Sequence, residues 1–579
     1  MSQARYGVAP SVNLARTKFK TKYDLETTFL HGKLIPLDMI PVIPGSSFKV
    51  DLTSYIRMSD PIVPIFGNIT VGVHAFFVPW RLLWTHTEEF FGANKNAAGP
   101  QKTDYYIPQN RFGSIAPQTV ADYLGYPLIS SGYYTANVLK LRAYMLIWNE
   151  WYRPQQVAEP FIIGSGDADG SGYSIGTRDS VTITTSMNPI EVAKNFDIFT
   201  ASTLAPQYGD PVEISLLEPA QGNVYFDSSA FDEGVSLDNP LPRFRYLDSS
   251  NEYDGPSAIG SEATSGGDSQ EAAVTSYNYG VTSGDDVESH GFIAEDGADY
   301  STAAGYDPAG TLKVNISNAV MTDVRTLRFA FAMQRYLEAL NFGSRYFEIL
   351  QNIYGTTNPD ARLQRPEHIG QIHFPIQIQQ VLSTAGAESG ATSKLGQAGA
   401  NSVTLNRNVL CSKGFTEFGY LCIMLDTKHD RVYSQGLKRE DYIKDRFDIY
   451  APQFDHVGDF SVLNKELFIQ SEAGINSNGS VFGYQEGWYS ERYREPRVSG
   501  LLNPNATGMI APYSLAEAWD NRPSLSWEFL MEDRENIKRV LKTGNSGPDY
   551  LANFHIELTM IKPMSAHSLP GLIDHVGRM

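Results

Sequence analysis

Ile69-Thr70-Val71-Gly72-Val73-His74-Ala75-Phe76-Phe77-Val78 is almost wholly apolar or β-branched and is stopped by Pro79. A run of that length and composition predicts a central strand covered on both faces. Upstream, Ser47-Phe48-Lys49-Val50-Asp51-Leu52-Thr53 alternates at period two, placing Phe48, Val50 and Leu52 on one face of a half-buried strand. Pro36, Pro41, Pro44, Pro61 and Pro64 punctuate short extended pieces around it, because proline cannot donate to a ladder and holds its predecessor extended. The pattern predicts a β-sandwich with long excursions between strands.

Further along, Ser130 to Pro154 reads as a helix: Val138, Leu141, Met145, Trp148 and Tyr152 recur at helical spacing, Thr135 or Asn137 can cap it and Pro154 ends it. Thr322 to Gly355 carries a second, broken stripe, with Gly343 between two helices and Arg325, Arg328, Arg335 and Arg345 along it. Strand signals resume in Phe374 to Val381, Tyr420 to Leu425 and Asn553 to Ile561. Strands at both ends of the chain with helices and loops between them predict a mainly β fold, an eight-stranded jelly roll with long inserted loops containing helices.

The charge is concentrated. Of the formal −19, Leu217 to Gly310 holds 18 acidic residues against Arg243 and Arg245, leaving about −3 for everything else. This segment is rich in Gly, Ser, Asp, Ala and Tyr and is expected to be a functional surface excursion. No window reaches the roughly 18 apolar residues of a membrane span, and the start Met1-Ser2-Gln3-Ala4-Arg5 is not a signal peptide, so the expected compartment is a cytoplasm. There Cys411 and Cys422 are expected to be free core thiols, with a disulfide across a hairpin turn at Gly414 as the alternative.

Several blocks carry a family resemblance. Phe76-Phe77-Val78-Pro79-Trp80-Arg81-Leu82-Leu83-Trp84 with Glu89-Phe90-Phe91-Gly92 is followed by Ile147 to Arg153, by Asn195 to Thr200, and by Pro206-Gln207. Phe482 to Glu486, Tyr493-Arg494 and Pro570 to His575 complete the set. In this order the blocks resemble the major capsid proteins of the Microviridae, small icosahedral bacteriophages with single-stranded DNA, and are most similar to the gokushovirus branch. The resemblance implies a viral jelly roll that self-assembles into a T=1 shell around circular single-stranded DNA. It implies as partners the chain itself, the genome, small DNA-binding and pilot proteins of the virion, and a host cell-surface receptor. It places the protein in the virion, assembled in the bacterial cytoplasm, and implies that the acidic insertion forms threefold protrusions for host attachment. The chain accordingly divides into a basic N-terminal arm at 1–24, first jelly-roll strands with helical insertions at 25–216, the acidic insertion at 217–310, and helices, the remaining jelly-roll strands and a C-terminal arm at 311–579. The alternative from composition is a carbohydrate-binding or carbohydrate-active β-sandwich.

Candidate contacts follow from charge and aromaticity. Arg5, Arg16, Lys18, Lys20 and Lys22 precede any acid and are the candidate DNA contacts, reading equally as a solvated terminus. Trp148, Trp151 and Tyr152 are the candidate subunit contacts, since aromatic residues are enriched at interface cores. No catalytic elbow, zinc motif or phosphate loop is present, and no enzyme, cofactor or metal is expected. Asp167 opens a loop like that of a calcium-binding EF hand, but Arg178 stands where the bidentate Glu is required, so a plain turn is expected.

Overall fold

The computed structural model describes residues 16–92, 105–113, 115–167, 173–210, 212, 324–341, 346–357, 359–382, 396, 398–470, 479–506, 510–542 and 547–566. Arg5 and the acidic insertion lie outside them. The chain divides into two compact units, Met1–Asp210 with Tyr336–Met579, and Pro211–Arg335. Of the second, the described part is essentially the start of a helix, Val324–Asn341.

Eight strands in the first unit build two antiparallel sheets: β1 Thr17–Phe29, β2 Ile35–Val42, β3 Ser47–Met58, β4 Ile69–Pro79, β5 Glu367–Pro375, β6 Thr404–Gly414, β7 Gly419–His429 and β8 Tyr550–Lys562. One sheet runs β1-β8-β3-β6 and the other β5-β4-β7-β2. The pairings β1·β8, β2·β7, β3·β6 and β4·β5 are all hydrogen-bonded, as in a jelly-roll ribbon folded on itself. Between the sheets, Phe48, Val50 and Leu52 from β3 meet Val71, Val73, Ala75 and Phe77 from β4 and Leu421, Ile423 and Leu425 from β7.

The second sheet is covered on its other face too, which is why β4 and β7 read as continuous apolar runs. Phe76 and Val78 of β4 and Tyr420, Cys422 and Met424 of β7 point outward into a second core built on helix α1, Leu139–Ile147. Its first turn is held by Asn137, whose side-chain oxygen accepts from the Leu139 N–H at 2.7 Å. A five-residue π turn, Trp148–Tyr152, prolongs it, so the helical stripe expected to run to Pro154 changes pitch at Trp148. The expected second helical region is two helices, Val324–Asn341 and Tyr346–Tyr354. A third core, including Phe199, Tyr433, Phe482 and Phe529, holds the long excursion after β7. Both cysteines are free and buried.

Candidate functional site

The outward face of the first sheet carries most of the candidate contacts. Thr17–Phe29 is a strand paired along its whole length with β8, so Lys18, Lys20 and Lys22 are fixed in a sheet and not on a free arm. They alternate with Phe19, Thr21 and Tyr23, and all three lysines are exposed. Across β8, Lys18 faces Ile561, Lys20 faces Thr559, and Lys22 faces Glu557, to which it donates at 2.7 Å. Arg16 precedes the strand and is exposed. Lys49 and Arg57 of β3 and Arg407 of β6 continue the same face, interleaved with Asp24, Glu26, Asp51 and Glu557. Tyr55, Leu405, Val409, Leu551 and Ile561 stay exposed among these charges. Such a face, half charged and half apolar, suits a polyanion or another protein surface more than it suits water alone.

The aromatic candidates lie elsewhere. Trp148, expected at a subunit contact, is 0% exposed within its own chain. Its ring meets Phe161 and Trp527 edge-on at 5.0 and 5.5 Å, and its indole N–H donates to the Glu191 carbonyl at 3.1 Å. Tyr152 is likewise buried. The reason is the outward face of β4 and β7, whose apolar side chains need cover, so the stripe of α1 is used up inside the subunit. Trp151 is half-buried, with Arg365 stacked 4.4 Å over its ring and its N–H donating to the Pro366 carbonyl at 2.9 Å.

Beside Trp151 the second sheet turns polar and a cavity of about 780 Å³ opens, lined by His74, His368, His373, Asp426, Lys428 and Tyr152 among others. The His74 ring lies 5.7 Å from His368 and 5.1 Å from His373. Gly72 makes room for this cluster: a Cβ there would fall 2.1 Å from Asp426 Oδ1 and 2.9 Å from His74 Nε2. Burial, with the neighbouring imidazoles of His74 and His373 added, pushes the His368 imidazole down to about 4. Burial first, then His74, lowers His373 as well.

A second polar cluster is sealed. His31 Nε2 donates to Glu532 Oε1 at 3.0 Å, and His429 Nδ1 meets the same oxygen. Arg431 holds Glu532 Oε2 at 2.6 Å and also Glu517. The far imidazole nitrogens are used as well, His31 Nδ1 by the Tyr550 hydroxyl at 3.0 Å and His429 Nε2 by the Asn536 amide at 3.3 Å. Burial lowers the His31 pKa, against the pull of Glu532, which raises it. His31, His429 and Glu532 form the set whose donor atoms could hold a metal ion among the described residues. Each donor already has a protein partner, and Arg431 shares the carboxylate. The cluster therefore reads as a satisfied plug joining three remote stretches of chain. With side chains 0% exposed at His31, His429 and Glu532, no reacting group here can reach a substrate. No sequence spacing announces it, since His31 stands 398 residues from His429, and His429 stands 103 from Glu532.

In the calcium-like loop, Asp167 is taken up by the Trp84 indole and by His86, which helps hold its carboxyl below the usual range against a burial effect that raises it.

A family model described as "Capsid protein (F protein)" matches residues 8–572. The chain is 29% identical to the capsid protein VP1 of Chlamydia phage 1, over 98% of this chain and 97% of that protein. It is 27% identical to the VP1 capsid protein of Bdellovibrio phage phiMH2K, over 98% of each. To that of Spiroplasma virus 4 it is 28% identical, over 97% of this chain and 96% of that protein.

Proposed function

The chain belongs to the phage capsid protein (F protein) family, and from that membership we propose that it closes a T=1 icosahedral shell around circular single-stranded DNA. It is a major capsid protein, a structural component of the virion that assembles with copies of itself. The carbohydrate-binding alternative falls to the whole-length match.

The observation that supports the shell reading best is the asymmetry of the sandwich. One sheet is covered on both faces by its own chain, whereas the other leaves lysines, arginines and apolar groups outward on β1, β8, β3 and β6. We assign that open face and Arg16 to the genome side, where basic groups neutralise phosphate without reading sequence. The acidic insertion is assigned to the outside, as protrusions that meet the host receptor. Small DNA-binding and pilot proteins complete the particle, which assembles in the host cytoplasm. Electron cryomicroscopy of particles made from the full chain tests this: 60-copy shells with nuclease-protected DNA against β1 are expected from T=1 closure. Shells of another triangulation number, or with β1 facing outward, would overturn it.

A further inference from the structure

The excursion after β7 carries a ridge of exposed apolar side chains. Along Ile443-Lys444-Asp445-Arg446-Phe447-Asp448-Ile449-Tyr450, and on through Phe454 and Val457, six large apolar side chains are between 36% and 61% exposed. Their local structure is firm. Asp448 accepts from the Lys444 and Asp445 N–H groups at 3.0 Å each, closing the turn Arg446–Asp448. Phe447 packs edge-on to Phe454 at 6.0 Å, and Arg446 lies 4.9 Å over the Phe447 ring. Behind them Trp488 is the anchor: its N–H donates to the Phe454 carbonyl at 2.8 Å and its ring meets Tyr450 and Phe460 edge-on. Trp488 does this from a left-handed backbone, φ 61°, a conformation that is strained for a bulky residue and persists where surroundings impose it.

A ridge built rigidly and left facing solvent is an interaction surface. We infer that residues 443–457 form an intersubunit contact and that the occupant is a second copy of this chain. The inference rests on the capsid reading and adds the surface. Copies with a formal charge of −19 repel, so contact is made where apolar area is concentrated and both signs are at hand. The ridge has both, with Lys444 and Arg446 beside Asp445, Asp448 and Asp455. A nucleic-acid occupant fits it poorly, since three carboxylates stand among two bases.

The native thiols make a clean test. Cys411 and Cys422 are buried, and burial pushes the Cys411 thiol up to about 12, so a maleimide reports only an introduced cysteine. Full-length Ile449→Cys should label at least tenfold more slowly in intact particles than in dissociated subunits. Equal rates would overturn the ridge contact while leaving the capsid reading intact. A wild-type chain that forms no particles at all would sink both. Phe447→Ser with Ile449→Ser should keep the subunit's Tm and lower particle yield at least tenfold; wild-type yield would count against the ridge.

Discussion

Trp148 shows why a residue's neighbours outrank its type. Aromatic and on a helical stripe, it had the composition of an interface residue, yet its ring lies among Phe161, Trp527 and the Arg178 guanidinium. Trp148→Ala should therefore cost the isolated subunit about 3–5 kcal/mol, read as a lower denaturant midpoint. A folded Trp148→Ala subunit that merely fails to assemble would return the residue to the interface. The cavity histidines give a second residue-level expectation, in pH. His368 faces His74, His373 and Asp360, and its folded pKa lies near 4 against an ordinary 6.5. As pH falls below about 6.5 the unfolded chain takes up the proton first. Stability is thus complete above about 6.5 and is lost progressively down to about 4, with His373 and His31, also lowered, adding to the same trend. The denaturant midpoint of the wild type should fall across that window, and His368→Gln should flatten the fall. An unchanged slope in the variant would mean that other groups carry it.

Among elements, β4 and β3 were legible because burial on two faces and on one face leaves different periods in the sequence. β1 is the instructive case. Lys18-Phe19-Lys20-Thr21-Lys22-Tyr23 has the alternation of a strand, but the run of positive charge suggested an arm. What decides the matter is a partner more than 500 residues away, Tyr550–Lys562, and no local pattern announces so distant a pairing. The end of α1 was misread for a related reason, since a π turn leaves no compositional mark. The sealed cluster of His31, His429 and Glu532 was invisible because its spacing exists only in the fold. Placing the lysines in a strand also separates their two roles. They point away from the core, and the Lys22–Glu557 pair is exposed to solvent, which screens it, so it contributes little to stability. Changing Lys18, Lys20 and Lys22 together to Glu should leave the subunit's Tm within a few degrees while lowering the DNA retained per particle. Normal DNA content would remove β1 from the genome side.

For the whole molecule, the question is how a subunit carries so much acid and still meets its copies. The distribution answers it: the −16 of Leu217 to Gly310 sits in one insertion, and the remainder of the chain is near neutral. That insertion belongs to the connection from β4 to β5, and those strands are direct neighbours, with Phe77 opposite Glu367. The chain thus leaves the sandwich and returns to it at one place, and the length of what lies between bears little on the β4·β5 pair. Loop closure changes by only about 0.6 kcal/mol for each doubling of length. Replacing Ser249 to Gly310 with a short Gly/Ser linker should therefore preserve the sandwich and the shell while removing the outer protrusions. The expected result is closed particles by sedimentation and microscopy, with less density outside the shell and no adsorption to the host. A modest loss of particle stability would mean that neighbouring insertions also touch one another. If no particles form, the insertion is part of the assembly machinery, and the division into a self-sufficient sandwich with an added acidic surface is wrong.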